Sequence, residues 1–395
     1  MISNVSVTEG SMAVAKAVKA CRPGVISAYP ISPQTHIVEH LSKFVAQGEL
    51  NSQYIRADSE FSAASIIYGA SAAGSRAYTA SSSQGLALMT EVIFALAGTR
   101  LPVVITAANR TLAAPISIQP DHQDAMTHRD TGIIQIYVEN IQEVYDTHIQ
   151  AFKLAEDKDV LLPVMVCMDG WILTHAFEPI ETFSDDDVYE YVGDFKPYQF
   201  LDPANPLTYG SYANEDRLME YKYLADKAQS NAKIKIEEIA ESYRKRFGHY
   251  HGGLIDEYKT EDAEIIFIAM GSLVSTLRVA VDELRAEGKK VGLLKVRSFR
   301  PFPKEAIIKS CKNAQILAVI DKSFSVGLGG ILATEVKSVF CDEEKKPLIQ
   351  SFIAGLGGKE VNRSAIKWMA EEAEKAADSK EIKDTIFVNI DNSII

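Results

Sequence analysis

Residues 76–110 read RAYTASSSQGLALMTEVIFALAGTRLPVVITAANR, an apolar strand-like run, a helical run and a second strand-like run. The second run, LPVVITAAN, is almost continuously apolar, which is typical of strands that helices cover on both faces. A strand that returns parallel to the previous one needs a crossover connection, and the helical run supplies it. The stretch therefore predicts a βαβ unit of an α/β fold with a parallel sheet.

The same rhythm extends to both sides of this unit. Helical runs precede it at residues 11–24 and 33–48, and the second of these opens near Pro33 and closes at Gly48. Further strand-like runs read GVISAYP, QYIRAD and LLPVMVCMD. These runs predict a first domain built on a parallel sheet with helices on both faces.

The rhythm breaks between about residues 170 and 260. Prolines, an acidic run at Asp185–Asp187 and a charged helical stretch from Glu215 to Lys245 fill this segment, and no repeated hydrophobic strand appears in it. We expect an excursion or an inter-domain connection here. After Asp262 four strand–helix units follow, so the sequence predicts two parallel-sheet α/β domains, at residues 1–255 and 256–395.

Composition excludes several classes of protein. The 395 residues are 47% hydrophobic and 24% charged, as in a globular protein, and the net charge of −12 disfavours binding to a phosphate backbone. No run is long enough to span a membrane, and MISNVSVTEG lacks the basic start and apolar run of a signal peptide. We expect a cytoplasmic protein without nucleic acid or membrane partners.

The cysteines and histidines predict no metal or cluster site in this chain. Cys21, Cys167, Cys311 and Cys341 lie far apart and form no Cys-x-x-Cys pair. If the protein transfers electrons, its iron–sulfur clusters must therefore be bound by another chain.

Strand-to-helix turns are the places where open α/β sheets bind ligands, and the first two unusual turns are YPISPQT and DSE. In the first, Ser32 offers a hydroxyl beside a helix start, although a rigid turn with an N-cap is the favoured local interpretation. In the second, Glu60 is either a capping-box partner or a carboxylate in a buried setting, because the helix after it is almost free of charge.

The third turn carries Arg110 directly after the strand LPVVITA. A buried arginine needs a partner, and its fork suits a carboxylate. That carboxylate could be internal, at Asp121 or Asp124, or could belong to a substrate, and the sequence favours neither. His122, His128, Asp121, Asp124 and Asp130 match no metal-ligand spacing, so we expect loop and surface roles for them.

Other short motifs carry little weight. The glycine-rich turns at residues 327–330 and 355–358 do not fit G-x-G-x-x-G, and no G-x-x-x-x-G-K-[ST] occurs, which disfavours nicotinamide and P-loop sites. SSSQG at residues 81–85 could contact a polar ligand, but helix capping is the favoured interpretation.

Four segments together resemble the pyrimidine-binding domain of pyruvate:ferredoxin oxidoreductases: YPISPQT, RADSEFSAASIIYGASAAG, TASSSQGLALMTEV and ANRTLAAPISIQPDHQDAM. The likeness continues through RDTGIIQIYVENIQE, LLPVMVCMDG, RSFRPFP and DKSFSVGLGG, and covers nearly the whole chain. The resemblance implies a thiamine diphosphate-binding pyrimidine-type domain followed by a transketolase C-terminal-like domain.

The resemblance also implies partner subunits. This family binds the diphosphate of the cofactor through a Gly-Asp-Gly followed by an Asn for Mg²⁺, and the chain contains no such motif. We therefore expect thiamine diphosphate to be shared with a β subunit that holds Mg²⁺. We expect γ and δ type subunits as well, with [4Fe–4S] clusters on the δ subunit, and CoA and ferredoxin as reactants.

By resemblance, Glu60 matches the glutamate that bonds N1′ of the aminopyrimidine and is the catalytic residue. Arg110 matches the arginine that clamps the 2-oxoacid carboxylate, and Ser32 stands where relatives usually have a threonine. The resemblance also places Tyr29 and Ile118 beside the substrate and Pro30 beside the cofactor.

The implied activity is oxidative decarboxylation of pyruvate with CoA to acetyl-CoA and CO₂, with reduction of ferredoxin. Gln119-Pro120 departs from the pattern of relatives and leaves other 2-oxoacids open: 2-oxoisovalerate, 2-oxobutyrate or oxalate. A non-catalytic scaffold subunit is the alternative from another class.

Overall fold

The computed structural model describes residues 3–395 as two main sheets and the helices that cover them. The strands are, in chain order, β1 (Ser3–Glu9), β2 (Val25–Ala28), β3 (Gln53–Arg56), β4 (Ala77–Ser81), β5 (Val103–Asn109), β6 (Ile134–Tyr137), β7 (Val164–Asp169), β8 (Phe177–Phe183), β9 (Ile255–Tyr258), β10 (Ile265–Ala269), β11 (Val291–Val296), β12 (Ser298–Arg300), β13 (Ile316–Asp321), β14 (Phe324–Ser325), β15 (Gly329–Gly330), β16 (Leu348–Ile353) and β17 (Ile386–Phe387). The helices are α1 (Gly10–Ala20), α2 (Thr35–Ala46), α3 (Glu60–Ala72), α4 (Ser83–Gly98), α5 (Gln123–Met126), α6 (Ile141–Ala155), α7 (Asp185–Val192), α8 (Leu218–Phe247), α9 (Leu273–Ala286), α10 (Lys304–Cys311), α11 (Ile331–Val339) and α12 (Arg363–Ser379).

The first sheet has the strand order β12-β6-β7-β5-β4-β2-β3 in the described chain. Its strands are parallel except β12, which comes from the second half of the chain and pairs antiparallel with β6. The βαβ unit predicted at residues 76–110 is β4, α4 and β5. The predicted α/β class with parallel sheets is confirmed.

The second sheet has the order β17-β16-β13-β10-β11-β9 within residues 3–395. It is parallel except for the edge strand β9, which runs antiparallel to β11. The division at residue 255 stays a proposal, and the contribution of β12 to the first sheet means that the two units are interlocked.

Three layers of apolar side chains hold the described chain together. One lies on the face of the first sheet that α1, α2, α6 and α8 cover, and another lies on the face of the second sheet that α9 and α12 cover. The third is continuous from α3, α4 and the first sheet to α10, α11 and the second sheet. This shared layer fixes the two sheets relative to each other, because interiors pack at the density of organic crystals.

The segment between residues 170 and 260 contains a strand that the sequence did not reveal. Phe177–Phe183 forms β8, which pairs antiparallel with Ser3–Glu9 at the start of the chain. Both strands have one open face, where Val5 and Phe177 are 68% and 67% exposed, so neither has the continuous apolar run of a buried strand. The charged stretch near residues 215–245 is the long helix α8, whose small and apolar residues pack on α6 and α4.

Among residues 3–395, no helix combines the length and the apolar composition that a membrane crossing requires.

Candidate active site at the edge of the first sheet

The carboxyl ends of β2, β3, β4 and β5 lie at one edge of the first sheet, because these strands are parallel neighbours. The turn 29–35 follows β2, Glu60 begins α3 after β3, α4 begins after β4, and Arg110 follows β5. Segments that are distant in the sequence therefore meet at the kind of edge where open α/β sheets bind their ligands.

Glu60 is a nearly buried carboxylate without a protein partner. It is 8% exposed, and no donor among residues 3–395 forms a hydrogen bond with it. Ser59 caps α3 instead, since its hydroxyl accepts a hydrogen bond of 3.1 Å from the backbone N–H of Ser62. A capping box would need the glutamate two positions later in the helix. The capping-box alternative for Glu60 is therefore wrong.

Gly85, in the first turn of α4, provides the space for the Glu60 side chain. A Cβ at Gly85 would lie 2.6 Å from Cγ and 2.8 Å from Oε1 of Glu60, and 2.4 Å from Oγ of Ser81. The Ser81 hydroxyl is buried and also lacks a hydrogen-bond partner in the described chain. The starts of α3 and α4 thus place two unpartnered polar groups close together, and helix N-termini favour a carboxylate.

The serine run at residues 81–83 does not cap α4 in the way that the sequence favoured. Ser82 is the N-cap residue, but its hydroxyl donates to a carbonyl of β5. The Asp124 carboxylate takes the place of the cap and accepts hydrogen bonds from the backbone N–H groups of Ser83 at 2.8 Å and Arg110 at 2.9 Å. It also accepts one from the side-chain amide of Asn109 at 2.8 Å. Asp124 therefore ties the start of α4 to the end of β5.

The prediction of loop and surface roles for residues 121–130 is largely wrong. Asp121, His122, Asp124 and His128 are buried, and only Asp130 is exposed. Burial raises the pKa of Asp124 to about 7. Three of the four donors to Asp124 come from residues 83 and 109–110, and the fourth is the adjacent backbone N–H of Ala125. No local pattern in the sequence could therefore identify Asp124 as the residue that positions Arg110.

Arg110 is 7% exposed, and its guanidinium contacts only carbonyl groups. Nε donates to the carbonyl of Ser117 and Nη1 to that of Ser32, each at 2.9 Å. Across residues 3–395 no carboxylate lies within ion-pair distance of this guanidinium, and Nη2 has no hydrogen-bond partner. The internal ion pair with Asp121 or Asp124 is therefore wrong, because Asp124 binds the backbone of Arg110 and not its side chain.

Arg110 connects the segments that carry two other predicted residues, Ser32 and Ile118. Its bonds to Ser32 and Ser117 join the turn after β2 to the loop that carries Ile118. The indole N–H of Trp171 holds that loop from the other side, since it donates to the carbonyl of Ile118 at 2.6 Å. Ile118 is 45% exposed. Arg110 therefore lies between the exposed Ser32 and a loop whose Ile118 side chain is partly exposed.

Tyr29 and Pro30 share the turn of Ser32 and are exposed, as is Ser32 itself. Gln119, which departs from the pattern of relatives, lies against the second unit. A Cβ added at Gly358 would lie 3.0 Å from the Cβ of Gln119. The glycine-rich turn at residues 355–358 thus contacts the loop behind Arg110 and serves packing.

A second group of buried charges lies beside this edge and was not apparent in the sequence. Asp169, at the end of β7, accepts hydrogen bonds from Lys322 at 2.5 Å and from the backbone N–H of Ser272 at 2.7 Å, and His122 lies 3.1 Å away. Although burial opposes ionisation, the Lys322 ammonium and His122 hold the pKa of Asp169 well below its usual range. This group joins the two sheets at their carboxyl ends, because Asp169 ends β7, Ser272 follows β10 and Lys322 follows β13.

Comparison with known proteins identifies this architecture. A family model described as "Pyruvate flavodoxin/ferredoxin oxidoreductase, thiamine diP-bdg" matches residues 16–241, and "Pyruvate:ferredoxin oxidoreductase core domain II" matches residues 263–366. The chain is 48% identical to the pyruvate synthase subunit PorA of Methanosarcina barkeri over 98% of this chain and 97% of the relative. It is 43% identical to the PorA of Thermotoga maritima, covering 94% of this chain and 95% of the relative. The ketoisovalerate oxidoreductase subunit VorA of Pyrococcus abyssi is 41% identical, with 94% of both chains covered.

Two solved structures share the fold. One is a 2-oxoglutarate:ferredoxin oxidoreductase from Magnetococcus marinus, with a TM-score of 0.73 and 18% identity over 93% of this chain and 65% of that longer chain. The other is a split-gene transketolase in an inactive β4 tetramer, with a TM-score of 0.57 and 12% identity over 94% of this chain and 99% of that chain.

The paired sheets and the site at their edge define a subunit of the α/β oxidoreductases that both family models describe. Within that class, the chain belongs to the pyruvate:ferredoxin oxidoreductase family. The family predicted from the sequence is confirmed.

Proposed function

We propose that this chain is the α subunit of a pyruvate:ferredoxin oxidoreductase and contributes the pyrimidine half of a shared thiamine diphosphate site. The observation that carries the proposal is the Glu60 carboxylate, which is 8% exposed and has no donor among residues 3–395. Buried polar groups are nearly always hydrogen-bonded, so a carboxylate in this state fits a ligand that donates a hydrogen bond to it. A protonated ring nitrogen of an aminopyrimidine is such a donor.

Four residues have tasks in this proposal. Glu60 holds the proton at the ring nitrogen N1′, which is general acid–base work. Arg110 binds the carboxylate of the 2-oxoacid, because its guanidinium has no counter-charge in the described chain and its planar fork fits a carboxylate. Ser32 and Ile118 flank Arg110 and contact the rest of the substrate. Bound thiamine diphosphate supplies the electron sink for decarboxylation.

The cofactor's diphosphate, Mg²⁺ and the clusters belong to partners in this proposal. The chain has no Gly-Asp-Gly motif, and its four cysteines are free and far apart in sequence, three of them buried. We assign Mg²⁺ and the diphosphate to a β subunit and the [4Fe–4S] clusters to a δ type subunit. A γ type subunit, CoA and ferredoxin complete the system, and a cytoplasmic location stays a prediction.

The outer faces of α3 and α4 support a partner at this edge. Each helix carries a single charged residue, yet Phe61, Leu88 and Phe94 are 39%, 50% and 45% exposed. Exposed large apolar side chains on two neighbouring helices suit a protein interface. A β subunit that docks here would close the site over Glu60.

The test of the proposed role uses the chain reconstituted with its partner subunits. Glu60→Gln keeps the shape of the side chain but removes proton control, so we expect turnover with pyruvate to fall about 10²- to 10⁴-fold while thiamine diphosphate still binds. Glu371→Gln, on the exposed face of α12, is the matched control and should leave turnover unchanged. Full turnover of the Glu60→Gln complex would show that the proposed function of Glu60 is wrong.

The substrate is tested with a panel of 2-oxoacids on the purified complex. The PorA relatives favour pyruvate, whereas the VorA relative keeps 2-oxoisovalerate as the second candidate. We expect viologen reduction with pyruvate at a higher kcat/KM than with 2-oxoisovalerate, 2-oxobutyrate or oxalate. The reverse order would move the proposal to another 2-oxoacid. No reduction with any of them would favour the scaffold alternative.

A further inference from the structure

A cluster of three histidines and one glutamate lies outside the proposed active site. Glu9 ends β1, His36 and His40 lie on α2, and His175 lies in the turn between β7 and β8. His36 and His40 are four residues apart and therefore share one face of the helix. One ligand atom from each of Glu9, His36 and His175 lies within 4.8 Å of the other two.

The cluster already has the donor atoms of a divalent metal site. Nδ1 of His36 is 2.8 Å from Oε1 of Glu9, and the rings of His36 and His175 have centroids 4.6 Å apart. Nδ1 of His175 bonds to the Thr174 hydroxyl at 2.7 Å, while its Nε2 has no hydrogen-bond partner among residues 3–395. Imidazole and carboxylate ligands suit Zn²⁺ and neighbouring first-row divalent ions.

Groups around the ligands hold them in the orientation that a metal needs. Ligating histidines usually bind a second partner through the other ring nitrogen, as His175 does with Thr174. Nε2 of His40 lies 3.3 Å from Oε2 of Glu9, so it steadies the carboxylate through the oxygen that His36 does not contact. The indole ring of Trp171 stacks on His175 with centroids 4.3 Å apart.

An ion pair alone does not explain this arrangement. The contacts of His36 and His40 with Glu9 leave the Nε2 of His175 without a protein partner among residues 3–395. A divalent cation would accept the lone pair of that nitrogen together with ligand atoms of Glu9 and His36. Tetrahedral Zn²⁺ with ligand bonds of about 2.0–2.1 Å keeps ligand atoms about 3.3 Å apart, so Glu9 and His36 need to separate by only about half an ångström.

The second histidine cluster in the chain shows the contrast. Asp146 is fully buried, and His249 and His251 approach its Oδ2 at 2.9 and 2.7 Å. The Tyr243 hydroxyl donates to Oδ1 at 2.7 Å, and the other nitrogen of His249 lies 3.0 Å from Glu181. Asp146 thus has bonds to Tyr243 and to both histidines, and His249 connects it to Glu181, so polar contacts inside the chain account for this cluster as an ion-pair network.

We propose that Glu9, His36 and His175 bind one divalent transition metal ion of the Zn²⁺ class, with His40 as the hydrogen-bond partner of Glu9 and the fourth position open to solvent. The His36 side chain is 44% exposed, which gives the ion a route of entry. Three protein ligands and one open position distinguish such a site from a closed structural zinc site.

The site has a structural link to the loop that carries Ile118. Trp171 stacks on His175 and donates its indole N–H to the carbonyl of Ile118. A metal ion that fixes His175 would therefore fix the position of Trp171 as well. This link makes Trp171 an internal reporter of metal binding, since the only other tryptophan in the sequence is Trp368, on α12.

The experiment uses the full-length chain, stripped with a chelator and titrated with Co²⁺ and then Zn²⁺. We expect one equivalent of Co²⁺ to give the visible absorption of a low-symmetry four-coordinate site and to quench the fluorescence of Trp171 in a Trp368→Phe background. We expect Zn²⁺ to displace it. His36→Ala and His175→Ala should abolish both signals, and His40→Gln should weaken affinity about 10- to 100-fold, as expected for a group that orients a ligand.

His249→Gln, in the ion-pair cluster, is the matched control and should leave the titration unchanged. Circular dichroism establishes that each variant is folded, and the half-exposed His36 makes His36→Ala the variant least expected to disturb the core. The proposal is overturned if the parent chain binds no stoichiometric Co²⁺. It is also overturned if the folded His36→Ala chain binds as tightly as the parent or if the signal is lost in His249→Gln instead. None of these readouts depends on turnover, so the metal site and the proposed function can fail separately.

Discussion

Arg110 and Arg297 are both nearly buried, but their guanidinium groups have different surroundings. Arg297 is 1% exposed and lies between the two sheets, where Nε contacts Glu143 at 3.0 Å and its other nitrogens donate to a carbonyl and two side-chain oxygens. Lys295 beside it contacts Glu139 and Glu143 at 3.1 and 2.6 Å. Arg110, at the edge of the first sheet, contacts two backbone carbonyls and no carboxylate in residues 3–395.

The difference separates a structural cation from one that is suited to a ligand. A buried charge is costly unless it is paired. We call the group of Glu139, Glu143, Lys295 and Arg297 the seam, and each of its charges has an opposite charge beside it. The ion pairs also lower the pKa of a carboxyl group in this region. Burial would raise the pKa of Glu139, but Arg278 and Lys295 lower it to about 2. At Arg110 the counter-charge is missing, and the Glu60 carboxylate lacks a donor in the same way. These are the two charges that we propose for ligands.

The largest expected effect is on stability at the seam. Arg297→Met leaves a buried Glu143 with one of its two cations, and breaking a buried ion pair typically costs about 3–5 kcal/mol. We expect the free energy of unfolding in urea to fall by about that amount. Arg363→Met removes an exposed ion pair with Glu283 and should change it by less than about 1 kcal/mol. Equal losses in the two variants would contradict the distinction between seam and surface.

Arg110→Met should affect substrate binding more than stability, in contrast to Arg297→Met. The side chain makes two hydrogen bonds to carbonyls, so we expect a loss of stability of about 1–3 kcal/mol. The larger effect should be on substrate: hydrogen bonds to a charged group contribute about 1.5–3 kcal/mol each, so kcat/KM of the complex should fall about 100-fold, mainly through KM. Arg110→Lys keeps the charge but lacks the planar fork of the guanidinium, so its kcat/KM should lie between those of the parent and Arg110→Met. An unchanged KM would mean that Arg110 is structural like Arg297.

Gly85→Ala tests whether the space beside Glu60 is needed. The added Cβ would approach Glu60 at 2.6 Å, so the carboxylate must move, and a displacement of about 1 Å costs about 10- to 100-fold in turnover. Gly98→Ala, at the other end of α4, has no atom within 4 Å of the added Cβ. It should retain activity and gain up to about 1 kcal/mol of stability. Parallel losses of activity in both variants would contradict this explanation.

The smallest effect is the pH dependence of the ion-pair network at Asp146. The bond to Asp146 raises the pKa of His249 in the folded chain, and although burial opposes it, the two histidines lower the pKa of Asp146. The stabilisation by His249 is therefore fully present below the pKa of an unfolded histidine, about 6.5, and is lost as pH rises through the higher folded pKa. We expect a decrease on the order of 1 kcal/mol between about pH 6 and 9. Thermal unfolding of His249→Gln across this range should lack that decrease, and an identical slope in both proteins would exclude His249 as its source.

The strand–helix rhythm and the positions of Glu60 and Arg110 could be predicted because their signals are local. Strands covered on both faces must be continuously apolar, and Arg110 stands out directly after such a strand. Glu60 stands out as the one charged residue at the start of α3. The strand Phe177–Phe183 could not be predicted, because its pairing partner is 168 to 180 residues away and its outer face is exposed. In the sequence, Asp124 is one acidic residue in an irregular segment. No pattern around it identifies its four hydrogen-bond donors.

The sequence by itself determined the α/β class, the family and the two side chains on which the proposed chemistry depends. Only the tertiary structure decided which charges are paired. It gave Arg297 and Lys295 their carboxylates, and among residues 3–395 it left Arg110 without a carboxylate and Glu60 without a hydrogen-bond donor. It also brought Glu9, His36 and His175 together from three segments. The physical reason is that periodicity records burial along one element, whereas compensation of a charge depends on atoms that long-range packing brings within about 3 Å.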